Sequence, residues 1–318
     1  MSIEHDRALA STSHRKRHDG RRKGMAGLLL GAAASGAVAM VSLSSAGVAN
    51  ATCVSANGFG IGQGCTSTPG NFAIGLGSNA TATATAGTFN GAIAVGTGAV
   101  AKAGIDPTDA FNRSVAIGSG SSATSGGGVN QIALAAGNKT TADSTYGDGN
   151  RAIAIGDGSL ANAGGSPTTH ASNSRAFVLG RNSTANSANG ANSSSVVVGN
   201  NSLADASNSK NSRALVFGND STADASVGSN SRASVLGNHS FAASYGAANS
   251  RALVIGNRSD ANSALSDDSR AFVFGHDSSA ITAVGPNQVA GVRGNNSHVL
   301  TSAANPKLIA NGNDKTLP

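Results

Sequence analysis

Two cysteines and a regularly spaced series of arginines are the residues whose types and spacing suggest chemistry. Cys53 and Cys65 are the only cysteines of the chain. In an oxidising compartment such a pair closes one disulfide, and we predict that this bond pins the entrance to the repeats that follow. Closing a loop of this size lowers the conformational entropy of the unfolded chain, which stabilises the folded state by on the order of 3 kcal/mol. Redox chemistry is not expected, because no Cys-x-x-Cys pair is present.

Seven arginines share one place in a repeated segment, five residues before a recurring glycine. Stacked repeats would align them into an arginine ladder, which predicts a linear edge for binding sulfated or acidic polymers. A solvated edge is the other interpretation, partly neutralised by aspartates and covering apolar surface with the arginine stems. The aspartates concerned are Asp205, Asp220, Asp224, Asp267 and Asp268. The seven arginines are Arg113, Arg151, Arg175, Arg213, Arg232, Arg251 and Arg270.

The histidines and glycines indicate no catalytic or metal site. His239 and His276 fall in turns two repeats apart and are too distant to share a metal. The other histidines after residue 51 are His170 and His298. No His-x-x-His or clustered carboxylates accompany them. The Gly-x-Gly pairs recur as turn residues in several of the repeats, which argues against a nucleotide-binding loop. We therefore expect a non-enzymatic protein with no catalytic residue, metal or cofactor.

The composition excludes ordinary globular cores. The 318 residues include 43 glycines, no tryptophan and only 3% aromatic residues. Large aromatic side chains normally supply much of a core, burying about 150 to 250 Å² each. With 39% apolar residues, the chain is better explained as a stack of thin, similar layers than as a disordered polymer.

A repeated segment accounts for most of the chain. In Arg213-Ala-Leu-Val-Phe-Gly218-Asn-Asp-Ser-Thr-Ala-Asp-Ala225 the glycine serves as a marker. Ten marker glycines and one alanine in the same place are separated by 21, 22, 17, 21 and 24 residues and then five times by 19. The markers are Gly75, Gly96, Gly118, Ala135, Gly156, Gly180, Gly199, Gly218, Gly237, Gly256 and Gly275.

Each repeat predicts two short strands separated by a tight turn. Positions −3 and −1 from the marker are large and apolar, with Ser234 the one exception, whereas position −2 is alanine in five repeats and valine in six. In the second strand, Ser221, Ala223 and Ala225 alternate with polar Thr222 and Asp224, as in a strand with one wet face. Two such strands cannot bury their own faces, so the repeats must stack. The fold class is therefore all-β, a parallel β-solenoid of about eleven coils.

The large residues at −3 and −1 predict self-association. A thin coil has room only for the alanine, valine and glycine columns, so the large columns must project outward. A continuous apolar stripe exceeds the few hundred Å² that a soluble monomer exposes. Three rods around a common axis would bury every copy, which predicts a homotrimer. The stripe includes Phe72, Ile74, Phe177, Leu179, Leu215, Phe217, Leu253, Ile255, Phe272 and Phe274.

The basic character of the chain belongs to its leader. Seven of the 22 basic residues precede residue 25, leaving 15 basic and 13 acidic residues from Thr52 onward. Nucleic acid is therefore not an expected partner. The basic start, an apolar stretch from Met25 to about Val48 and the small residues Ala49 and Ala51 predict a secretory signal, exported by either the general or the twin-arginine route. We assign residues 1–51 to a signal peptide, 52–69 to a disulfide loop, 70–282 to the repeats and 283–318 to a C-terminal tail.

Two of the repeats carry a family resemblance. Ser114-Val-Ala-Ile-Gly118-Ser-Gly-Ser121-Ser-Ala123 and Ala152-Ile-Ala-Ile-Gly156-Asp-Gly-Ser159-Leu-Ala161 resemble the repeat of YadA-like head domains of trimeric autotransporter adhesins. The resemblance covers about residues 70 to 282. It implies a left-handed β-roll, a trimer, and binding to host matrix or to other cells. Residues 283–318 show neither a heptad-patterned stalk nor the alternating apolar strands of a membrane anchor, so autotransport is not expected.

The resulting hypothesis is a secreted or cell-surface, adhesin-like or structural protein that associates with itself. Extracellular matrix, cell-surface components or polyanions are the expected further partners. An anion-binding or polysaccharide-binding solenoid and a passive spacer of the cell envelope are the alternatives.

Overall fold

The chain folds into two β-sheets in a computed structural model. The structure describes residues 52–318 except 188–189, 207–209, 226–228, 238, 245–248, 257, 259, 264–267, 276, 278, 283–286, 294–297, 301–306, 311–315 and 318. No helix occurs among these residues, and hence none that could cross a membrane. The predicted signal peptide, residues 1–51, lies outside the described residues.

The first sheet has 15 strands in the order β2-β1-β4-β6-β8-β10-β12-β14-β16-β18-β20-β22-β24-β26-β28. From one end to the other the strands are β2 (Phe59–Ile61), β1 (Thr52–Ala56), β4 (Phe72–Leu76), β6 (Gly91–Val95), β8 (Arg113–Ile117), β10 (Ile132–Ala136), β12 (Arg151–Ile155), β14 (Arg175–Leu179), β16 (Ser194–Val198), β18 (Arg213–Phe217), β20 (Arg232–Leu236), β22 (Arg251–Val254), β24 (Arg270–Phe272), β26 (Val289–Val292) and β28 (Lys307–Ala310).

The second sheet has 14 strands, which follow one another in chain order. They are β3 (Cys65–Ser67), β5 (Thr81–Ala84), β7 (Val100–Ala103), β9 (Ser122–Gly126), β11 (Thr141–Thr145), β13 (Leu160–Asn162), β15 (Thr184–Asn186), β17 (Leu203–Asp205), β19 (Thr222–Asp224), β21 (Phe241–Ala243), β23 (Asp260–Ser263), β25 (Ser279–Thr282), β27 (His298–Leu300) and β29 (Thr316–Leu317).

Residues 72–282 of the two sheets form a parallel β-solenoid of about eleven turns, as the repeat predicts. Each turn contributes one strand to each sheet, and equivalent strands pair in parallel register. Arg151 pairs with Arg175 in the first sheet, for example, and Leu160 pairs with Thr184 in the second. Equivalent side chains therefore stack in columns, with neighbouring strands about 4.8 Å apart.

Small side chains fill the space between the sheets. In each of the eleven repeats, position −4 is alanine or serine and position +5 is alanine, and these residues are buried. Position −2 is also buried, and its side chain becomes larger halfway along the solenoid, where valine replaces alanine between Ala154 and Val178. The prediction that the small columns face inward is confirmed. Because the sheets lie too close for larger residues, the big side chains at −3 and −1 must face outward.

The marker glycine is required by the close approach of the next turn. Gly199 has φ +154°, and a Cβ atom on it would overlap the backbone carbonyl of Gly218. A buried hydroxyl three residues after the marker donates a hydrogen bond to the carbonyl of the marker glycine in the next turn. Ser183 Oγ donates to Gly199 O at 2.9 Å, and Ser202 Oγ donates to Gly218 O at 2.8 Å. The glycine and serine of the repeat thus form one hydrogen-bonded corner.

Two of the predicted markers are wrong, each by two residues. Gly75 pairs with Ala94 and Ala135 pairs with Ala116, which places both in the buried −2 column. The markers are instead Gly77 and Gly137, whose added Cβ atoms would meet the carbonyls of Gly96 and Gly156. With this register every step is 19 residues, except 22 before Gly118 and 24 before Gly180.

The solenoid begins with an antiparallel cap. Strand β1 pairs antiparallel with both β2 and β4, whereas the later pairs are parallel. Cys53 on β1 and Cys65 on β3 form the predicted disulfide, with their Cα atoms 5.4 Å apart. Since β1 and β3 belong to different sheets, the bond joins the two sheets at this end of the core.

At the other end, the sheets extend past residue 282. Strands β26 and β28 continue the first sheet, and β27 and β29 continue the second. Part of the segment 283–318 therefore stacks on the repeats.

Candidate functional site

The outer face of the first sheet carries a long column of exposed apolar side chains. Side chains alternate along each strand: in β18, Ala214 and Val216 are buried, Leu215 is half-buried and Phe217 is 41% exposed. Along the −1 column, eight leucine, isoleucine and phenylalanine side chains are between 37% and 52% exposed. They are Leu76, Ile117, Ile155, Leu179, Phe217, Leu236, Ile255 and Phe274.

The −3 column runs beside them and is half-buried throughout. Together the two columns form the apolar stripe, which extends over all the repeats. Of the predicted stripe residues, Ile74, Phe177, Leu215, Leu253 and Phe272 lie in the −3 column and Leu179, Phe217, Ile255 and Phe274 in the −1 column.

Phe72 does not belong to either column. It pairs with Gly91, which pairs with Arg113, so Phe72 occupies the −5 column. Its ring covers Gly91, where a Cβ atom would lie too close to the ring carbons of Phe72. The mistaken marker Gly75 caused this misassignment.

The seven predicted arginines do form a ladder in the −5 column, and all are exposed. The ladder is interrupted by Ile132 between Arg113 and Arg151 and by Ser194 between Arg175 and Arg213. The run from Arg213 to Arg270 is continuous over four strands, Arg213, Arg232, Arg251 and Arg270. Val289 and then Lys307 extend the same column.

The aspartates proposed to neutralise the ladder lie mainly elsewhere. Asp205 and Asp224 are on the outer face of the second sheet, and Asp220 faces His239 in a turn, with 4.0 Å between Oδ2 and Nδ1. Asp268 does line the ladder, and Asp267 lies outside the described residues. Across the part of the chain that the structure describes, no arginine forms an ion pair with a carboxylate.

A groove of about 470 Å³ follows the C-terminal part of the ladder. Arg232, Arg251, Arg270 and Lys307 line it together with Asp268. Asn230, Asn249 and Asn287 line it from the preceding turn, where each backbone has a left-handed conformation with φ between +59° and +61°. We call this feature the arginine groove. Sequence reasoning missed Lys307 because residues 283–318 were assigned to a tail.

The histidines are placed apart from one another. His170 contacts the edge of the Tyr146 ring at 6.4 Å between centroids, and His239 is exposed in a turn. His276 lies outside the described residues, and the side chain of His298 on β27 is not described. Within the described ranges, no group of three or more histidine, cysteine, aspartate or glutamate side chains is arranged to hold a metal.

An exposed aromatic pair is a feature that the sequence reasoning did not find. Phe89 and Phe111 lie in successive turns with their rings stacked at 5.1 Å and 8°. Both have φ +59°, a conformation that phenylalanine seldom adopts. The signal available in the sequence was their shared position seven residues before a marker glycine, where later turns carry asparagine, glycine or, in the last repeat, Asp268.

Fold and surface together define the class: the chain is a parallel β-solenoid protein with an apolar stripe and a basic edge on one sheet. Comparison with protein-family models, curated proteins and solved structures finds no match.

Proposed function

We propose that this protein is an exported, non-enzymatic rod that associates with itself through the apolar stripe and serves as an adhesive or structural module at the cell surface. The observation that carries the proposal is the outward orientation of the −3 and −1 columns. The resemblance of the repeats to YadA-like adhesin heads supports the adhesive role, and the predicted signal peptide supports export.

The energetic argument follows from the length of the stripe. Burying a large aliphatic or aromatic side chain in an interface stabilises the complex by about 1.5 to 3 kcal/mol relative to full exposure of that side chain. Eight of the eleven −1 side chains are 37% to 52% exposed, so an interface gains part of that amount at each of these turns. Summed over the eight exposed −1 side chains, the gain is roughly 5 to 11 kcal/mol per chain. This is comparable with the cost of lost translational and rotational freedom on association, about 4 to 15 kcal/mol, and the half-buried −3 column adds to the gain.

A trimer is the assembly that fits the stripe. The stripe is two columns wide and runs parallel to the stacking direction. Three rods around one axis can each turn both columns inward, and the assembly is then closed against further growth. The other outer face, on the second sheet, carries Thr83, Lys102, Thr124, Asn162 and Asp224, and is suited to remain in water.

Replacing Phe217 and Phe274 with aspartate tests the interface. Both side chains are exposed in the single chain, so Phe217→Asp/Phe274→Asp preserves the core while placing charges in the stripe. We expect this variant to dissociate to monomers in light scattering. The matched control is Leu160→Asp/Leu203→Asp, whose side chains are 37% and 39% exposed on the second sheet. An unchanged mass of the stripe variant would contradict the proposal.

Adhesion is tested separately, by binding of the purified protein to immobilised matrix proteins and whole cells. Saturable binding that the monomeric stripe variant loses would support a trimeric adhesin. A trimer that binds neither surface would instead favour the structural role.

A further inference from the structure

We propose that the arginine groove is a binding site for a linear acidic polysaccharide, one carrying sulfate or carboxylate groups along its length. The site is built by one chain, and it therefore goes beyond the proposed self-association and does not depend on it.

The fold does not require arginine in the −5 column. Phe72, Gly91, Ile132, Ser194 and Val289 occupy the same place in other turns without interrupting the sheet. Stacking like charges directly opposite each other on neighbouring strands is destabilising. Arg232, Arg251 and Arg270 nevertheless occur in three successive turns, all exposed.

The groove has an excess of positive charge. Among the described lining residues Asp268 is the one carboxylate, against Arg232, Arg251, Arg270 and Lys307. None of these four side chains has an ion-pair partner among the described residues. The three guanidinium groups are therefore available to form paired hydrogen bonds with sulfate or carboxylate oxygens, and the Lys307 ammonium group adds a further positive charge.

The spacing favours a polymer over a single small anion. The cationic column follows the strand spacing of about 4.8 Å, so Arg232 to Lys307 spans roughly 19 Å over four steps. A ligand that contacts all of them must carry negative charges along one axis, as an acidic polysaccharide does.

The other wall of the groove suits sugar hydroxyl groups. Asn230 and Asn249 stand one turn apart, and Asn230 Nδ2 donates to Asn249 Oδ1 at 3.2 Å. Their amide groups can both donate and accept hydrogen bonds, which hydroxyl groups require. Among the described residues of its lining the groove has no aromatic ring, whereas proteins that bind single-stranded nucleic acids stack bases on such rings. The lining thus favours a polysaccharide over a nucleic acid.

The test is binding of the full chain to a short heparin oligosaccharide, with neutral dextran as the negative control. The informative variant is Arg232→Gln/Arg251→Gln/Arg270→Gln. Its matched control is Arg181→Gln/Arg258→Gln/Arg293→Gln, which removes the same charge from exposed arginines outside the groove.

We expect the groove variant to weaken heparin binding by at least about tenfold and the control variant by less than about threefold. The dependence of log K on log salt should become shallower by about two to three units, if each arginine releases close to one counterion as in nucleic-acid binding. Arg232→Lys/Arg251→Lys/Arg270→Lys keeps the charge but removes the guanidinium fork, so its affinity should fall between the other two.

Three results would overturn the proposal: equal loss in the groove and control variants, no heparin binding at low salt, or equal affinity for heparin and for single-stranded DNA of similar charge. Circular dichroism and thermal unfolding verify that each variant is folded, and the lysine variant provides a second test if glutamine disturbs the sheet. The Phe217→Asp/Phe274→Asp protein should retain binding to the short oligosaccharide, which separates this site from self-association.

Discussion

The sulfur of Cys53 occupies the space that a side chain would need at Gly75. A Cβ atom on Gly75 would lie 2.6 Å from Cys53 Sγ and 3.2 Å from Cys65 Sγ. Later turns have alanine or valine in this −2 column. The disulfide therefore serves as the core of the first turn as well as a link between the two sheets.

Gly75→Ala should destabilise the protein while the disulfide is present. Overpacking of a tight core costs about 1 to 3 kcal/mol. In a Cys53→Ala/Cys65→Ala background the same change should cost little or become stabilising, because the sulfur atoms are gone. Urea unfolding of the four proteins gives the coupling energy between the two sites. Equal effects of Gly75→Ala in both backgrounds would contradict this account.

Gly199→Ala should be far more destabilising than Gly98→Ala. Both glycines have positive φ, so each substitution carries the strain of that conformation, of order 1 to 3 kcal/mol. At Gly199 the new Cβ atom would also overlap the carbonyl of Gly218, whereas nothing lies within 4 Å at Gly98. We expect the first variant to lose at least about 2 kcal/mol more, measured by thermal or urea unfolding. Similar losses would show that neighbouring turns are less tightly stacked than described.

Asp109 anchors the insertion in the turn before Gly118. Its buried carboxylate accepts hydrogen bonds from the backbone N–H groups of Ile105 at 2.6 Å, Asp106 at 2.9 Å, Gly127 at 2.8 Å and Gly128 at 2.6 Å. In Asp109→Asn the side-chain NH₂ group faces at least one of these backbone N–H groups, which then has no hydrogen-bond acceptor. The free energy of unfolding should therefore fall by about 1 to 3 kcal/mol. The exposed Asp106→Asn is the control, and comparable losses in the two variants would count against the anchor.

Asp143 should make stability fall as pH rises through its titration. Burial raises the pKa of its carboxyl, opposed by a hydrogen bond with the Thr145 side chain, and Oδ1 is buried without a partner. Because the pKa is higher in the folded than in the unfolded state, folding is favoured when this group is protonated and is penalised above the folded pKa.

Asp143→Asn should therefore raise the melting temperature at pH 7 and have less effect as the pH falls below the ordinary aspartate range. Thermal unfolding from about pH 2.5 to about pH 8 measures this, with Asp106→Asn as the exposed control. A variant destabilised at pH 7, or one whose effect does not change with pH, would contradict the assignment.

The sequence was sufficient to predict the fold because the narrow core restricts the inward-facing positions of every repeat to small residues. Position +5 is alanine in all eleven repeats, and the alternation of small and large residues fixes which face of each strand is buried. The −3 and −1 columns face outward for the same reason, although Phe72 does not belong to them. The Cys53–Cys65 bond was predicted separately, from the only two cysteines of the chain, and the structure confirms it.

The two marker positions were assigned wrongly where the local sequence matched the repeat pattern in a shifted register. Gly75 looks like a marker because it is glycine, although the cause is the neighbouring disulfide. Ala136 replaces a large residue at −1, so Ile132 and Leu134 imitate the apolar pair two residues too early. The arginine groove was only partly predictable, because Lys307 joins the ladder through strands that lack the repeat pattern.

The mass of the purified chain in solution tests the central claim, that the apolar stripe is an interface between copies of this protein. Light scattering across a range of concentrations should give three times the monomer mass, which is 30.8 kDa for the full chain. A soluble, monodisperse monomer would contradict the claim, since it would leave the whole stripe in contact with water.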